Sequence, residues 1–142
     1  MQDMYLTQGL HRALQRYPDA VATICGGRHR TFREVAQRVA RFASSLQQLG
    51  VGPGDRVAML ARNSDRYHEY LLAVPWANAV LNPINIRWSE SEIAYALEDS
   101  GTKVAYASEN QLGLIRLDGI VVAPRPFRVW RVVPNAGGER RR

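Results

Sequence analysis

Apolar residues recur at helical spacing in several stretches of this chain, with short unbroken apolar runs between them, and that alternation predicts most of its architecture. Residues 4–17 carry Leu6, Leu10, Ala13, Leu14 and Tyr17 on one helical face, and Pro18 ends the segment. The run AVATICGGRHRTF predicts a β-hairpin turning at Gly26-Gly27. Thr31 opens the clearest helix, because Thr31-x-x-Glu34 is a capping box whose two side chains satisfy each other's free backbone donors. Phe32, Val35, Ala36, Val39, Phe42, Ala43, Leu46 and Leu49 form its apolar stripe, and Gly50 ends it. Pro53-Gly54 then turns the chain into a strand over 56–61.

Asn63 or Ser64 caps the next helix, which should carry Tyr67, Tyr70, Leu71 and Val74 inward, with Pro75 as a kink or break. A second strand is expected over 79–85. A second capping box, Ser89-x-x-Glu92, opens a helix through Ile93, Ala96 and Leu97 that stops at Gly101, and TKVAYAS makes a third strand. Strands separated by capped helices indicate an α/β fold with a parallel-type sheet and right-handed crossover helices. The pattern ends near Ser108, so the domain is placed at 1–108 and an Arg/Pro-rich tail at 109–142. Prolines at 124, 126 and 134 interrupt the apolar runs of that tail, leaving room for one strand at Gly119–Ala123 and poor order elsewhere.

The glycines at 50, 52 and 54 raise the question of a phosphate loop. Such loops follow a strand and open a helix, whose N-terminus supplies free N–H groups and a positive dipole end. Here a helix precedes and a strand follows, so the stretch reads as a turn. Asp65 and Glu69 stand four apart, as paired catalytic carboxylates do, but Arg62 and Arg66 alternate with them and point to an ion-paired solvated face. His11, His29 and His68 have no ligand-like spacing with each other or with Cys25, so no metal site is expected. Cys25 reads as a small core residue. No catalytic residue is assigned. Arg87 lies two residues before the Ser89 cap, where its guanidinium could join a helix N-terminus in holding an anion; a salt bridge to Glu90 or Glu92 is the plainer alternative.

Charge changes this picture little. Of 19 basic residues all but Lys103 are arginine; residues 1–103 hold 12 basic and 10 acidic side chains, and 104–142 hold 7 and 3. A basic tail ending at Arg140–Arg142 could contact phosphates, yet the nearly balanced body argues against nucleic acid as a partner. No apolar run reaches the ~18 residues of a membrane span, the N-terminus lacks a signal-peptide core, and the lone cysteine suits a reducing, cytoplasmic setting.

Four segments, in order, resemble the acyl-CoA synthetases of the adenylate-forming, AMP-binding superfamily. They are TFREV from Thr31, the stretch Gly50–Asn63, Val80–Asn85 with Arg87, and Ile93–Val104. The resemblance implies an incomplete N-terminal subdomain of that fold, and a family reaction in which ATP converts a carboxylic or fatty acid to an acyl-adenylate before coenzyme A displaces AMP. It implies ATP, Mg and CoA as family cofactors, with none expected to bind this chain well, since the Ser/Thr/Gly-rich segment and lysine of the family are missing here. Arg87 becomes, by resemblance, a candidate contact for CoA. The chain alone is expected to be inactive, with the remainder of a synthetase fold or a second copy as partner. A non-catalytic interaction module pairing through a sheet edge, or a basic-tail nucleic-acid binder, are the alternatives. Asn78 stands where the family usually has glycine; if that position needs a left-handed backbone, asparagine is the least costly substitute, at the cost of some strain. The likeness stops near Val104, and a break of reading frame near codon 105 would explain the change in composition.

Overall fold

The computed structural model describes residues 5–108 and the strand segments 121–122 and 128–131. The chain divides into two compact units, Met1–Asp55 with Arg62–Leu81, and Arg56–Ala61 with Asn82–Arg142.

The first unit holds helix α1 (Gln8–Arg16), the hairpin β1 (Val21–Cys25) and β2 (Arg28–Thr31), and helices α2 (Phe32–Gln48) and α3 (Asp65–Trp76). The Thr31 capping box forms: the Thr31 hydroxyl accepts from the Glu34 N–H at 3.2 Å, and the Glu34 carboxylate accepts from the Thr31 N–H at 2.8 Å. Val35, Ala36 and Val39 of α2 pack with Leu10 of α1 and Ala73 of α3. The α1 stripe is shorter than its spacing suggested. Leu6 precedes the helix and Tyr17 follows it, and both are exposed, Tyr17 resting edge-on against Phe32. Leu71 is also exposed, because α3 turns Asp65, Glu69, Tyr70, Ala73 and Val74 inward instead. Pro75 falls in the last turn of α3 without ending it.

Both longer helices of this unit close in the same way. After α2, Gly50 (φ +81°) donates to the Gln47 carbonyl and Val51 to that of Leu46. After α3, Asn78 (φ +60°) donates to the Pro75 carbonyl and Ala79 to that of Val74. This pair of bonds requires a left-handed residue at the first position past the cap, normally glycine. Asn78 is, among the described residues, the non-glycine with positive φ, which meets the condition under which asparagine replaces a family glycine there. Asn78→Gly is therefore expected to raise stability by up to about 1 kcal/mol, and Asn78→Ala to lower it by about as much. Urea midpoints of the two variants would check this; a gain with alanine would remove the strain argument.

The second unit is built on strands β3 (Arg56–Leu60), β4 (Val80–Pro83), β5 (Thr102–Ala107), β6 (Val121–Val122) and β7 (Arg128–Arg131), in the sheet order β4-β3-β5-β7-β6. β3 and β5 are parallel, with Val57 opposite Val104 and Leu60 opposite Ala107. Helix α4 (Glu90–Asp99) lays Ile93 and Leu97 on a core of Ala58, Leu60, Ile84, Ala105 and Ala107. Small alanines of the sheet stand opposite the larger Ile93 and Leu97, which lets the helix approach closely.

Of the strand expected at Gly119–Ala123, Val121–Val122 is observed as β6, and the other three positions lie outside the described residues. A further strand, β7, was not expected, and it pairs antiparallel with both β5 and β6, so the sheet is mixed. An antiparallel strand needs no crossover helix, only a turn, so neither cap nor stripe announces it. The rest of the tail, for which poor order was expected, lies outside the described residues.

Candidate functional site

Ligands of open α/β sheets bind outside the carboxyl ends of the strands. In the second unit that edge is formed by the residues that follow β3, β4 and β5. Ser108 is tied there, its N–H donating to the Leu60 carbonyl at 3.1 Å, and Ile84 donates to Met59 at 3.0 Å. Asn85 turns the chain after β4, its side-chain oxygen accepting from the Arg87 N–H at 2.9 Å. Arg87 is exposed in this loop. Among the described residues it forms no salt bridge to Glu90 or Glu92. The Glu92 carboxylate is committed to the cap, accepting from the Ser89 N–H at 2.7 Å and the Ser89 hydroxyl at 2.8 Å. Those two bonds, the backbone one foremost, hold the Glu92 carboxyl below its usual pKa. The helix N-terminus beside Arg87 thus already carries its own anion, with Glu90 next to it, and offers little to a phosphate.

The glycine-rich stretch does not fit a triphosphate either. Gly52 donates its N–H to the Asp55 carboxylate at 2.7 Å, and Asp55 in turn donates its N–H to the Gly52 carbonyl at 3.1 Å. A loop whose amide is filled by its own carboxylate repels phosphate oxygens. The described residues contain no cluster of three or more metal-ligating side chains.

The paired carboxylates are where the structure departs most from the sequence pattern. Asp65 and Glu69 are buried, with only 4% of each residue exposed, and do not lie on a solvated face. Their partners come from β2 and α2. Arg28 holds Asp65 through two bonds of 3.2 and 3.0 Å, and Arg38 holds Glu69 through a bidentate pair. Arg30 lies between, 3.5 Å from Asp65 and 3.8 Å from Glu69. Strand alternation puts Arg28 and Arg30 on one face of the hairpin, and helical spacing puts the two carboxylates on one face of α3. Burial pushes the Asp65 carboxyl up; Arg28, the Arg66 N–H and the Cys25 thiol together outweigh it and leave the group below its usual value. Cys25 is accordingly not a core residue. It is half-buried at the end of β1, with its thiol against Asp65. With every carboxylate oxygen engaged by guanidinium, this cluster clamps the hairpin to α3.

A groove of about 620 Å³ lies along α4, lined by Asn82, Trp88, Glu92, Tyr95, Asp99 and Ser100 with Ser91 and Ala96. Sequence reasoning passed over it. The available signal was Trp88 and Tyr95, seven residues apart and outside the Ile93/Leu97 stripe.

The sequence model of the AMP-binding enzyme family matches residues 10–132. This chain belongs to that family. The match continues past Val104 into the segment 109–142 expected to be unmatched, so the family pattern does not break off at codon 105. The chain is similar to a fatty acid–[acyl-carrier-protein] ligase, ScoC, of Streptomyces coeruleorubidus, at 33% identity over 138 residues, covering 92% of this chain and 26% of that protein. It is similar to a long-chain-fatty-acid–CoA ligase of Thermus thermophilus at 47% identity over 88 residues, covering 61% and 16%. Among solved structures, the N-terminal domain of FACL13 from Mycobacterium tuberculosis superposes with a TM-score of 0.76 at 26% identity, covering 79% of this chain and 29% of that one. The chain therefore spans about a quarter or less of the length of these curated relatives. Its α/β fold is that of the N-terminal domain of adenylate-forming enzymes. No helix among the described residues is long and apolar enough to cross a membrane.

Proposed function

We propose that this chain supplies N-terminal α/β structure to an ATP-dependent ligase that joins a carboxylic or fatty acid to a thiol, and that it turns over no acid by itself. The family match over residues 10–132 supports the first half of that reading. The carrier-protein and CoA ligases among the relatives suggest a thiol acceptor, either coenzyme A or a carrier protein. A carboxylate is a poor electrophile until a good leaving group is attached. Attaching adenylate demands donors and cations around the triphosphate. The glycine stretch binds its own Asp55, and the chain carries only one lysine, Lys103 in β5, which is the observation that carries the second half. Arg87, exposed at the carboxyl edge of the sheet and clear of Glu90 and Glu92, is the residue proposed to approach the nucleotide of coenzyme A when the rest of the fold is present. The lone cysteine fits a cytoplasmic setting for such an enzyme.

The purified chain is expected to show no ATP–pyrophosphate exchange with fatty or aromatic acids. Exchange above a protein-free control that survives removal of contaminating synthetases would refute the proposal.

A further inference from the structure

We draw no further inference here: the strongest candidate, the groove along α4 walled by Trp88 and Tyr95, has its Glu92 carboxylate committed to the Ser89 cap and Arg56 already at the carboxyl end of the helix, and nothing in the structure shows what covers it.

Discussion

Leu60→Ala should lower the stability of the chain by about 2–5 kcal/mol, the range for truncating a fully buried leucine. Leu60 is 1% exposed at the end of β3 and packs in one core with Ile84, Ile93 and Leu97. Most of its neighbours from the sheet are alanines, Ala58, Ala105 and Ala107, whose short side chains have no rotamers with which to fill the vacated volume. The loss therefore falls toward the upper end of that range. Set against the roughly 5–15 kcal/mol that a whole domain possesses, such a loss is large. Urea denaturation followed by circular dichroism would measure it. A change below about 0.5 kcal/mol, the size of an ordinary surface substitution, would show that β3 does not face a packed core.

Glu69→Ala is expected to cost about 3 kcal/mol, because it strips Arg38 and Arg30 of a buried counter-charge. Arg38 retains about a third of its side-chain exposure, 33%, and can turn partly to water, which keeps the cost at the lower end for broken buried pairs. The double variant Glu69→Leu/Arg38→Leu should be less harmful than Glu69→Ala alone, since it removes both charges and leaves apolar bulk. Equal losses in the two variants would mean that packing, not charge, sets the effect.

The same clamp predicts acid sensitivity. The Asp65 carboxyl is held below its usual value in the folded chain. Its stabilisation is complete above the unfolded aspartate value of about 4, and it is lost as pH falls through the lower folded value. Asp65→Asn should flatten that part of the acid limb in a plot of stability against pH. An unchanged limb would exclude Asp65 as its source.

Local signals were legible wherever a short stretch decides its own conformation. Both capping boxes, at Thr31 and Ser89, form as their spacing requires, because the bonds link residues three apart. The glycine stretch at 50–54 proved to be a turn on element order alone, and Asn78 adopts the left-handed conformation its place after α3 demands. Errors came where the decisive neighbour was far away in sequence. Tyr17 and Leu6 kept the helical spacing of α1 but lie beyond its ends, and spacing says nothing of where the helix stops.

The sequence by itself determined the order of helices and strands as far as β5, the parallel pairing of β3 with β5, and the family to which the first hundred residues point. Each of these rests on periodicity or on bonds spanning a few residues. Only the tertiary structure decided that Asp65 and Glu69 are buried. Their partners Arg28 and Arg38 stand 37 and 31 residues away, whereas the nearby arginines at 62 and 66 suggested a solvated face. Only the tertiary structure, too, brought β7 beside β5. Strand pairing across an intervening stretch depends on a match between two distant edges, and neither edge alone carries that information.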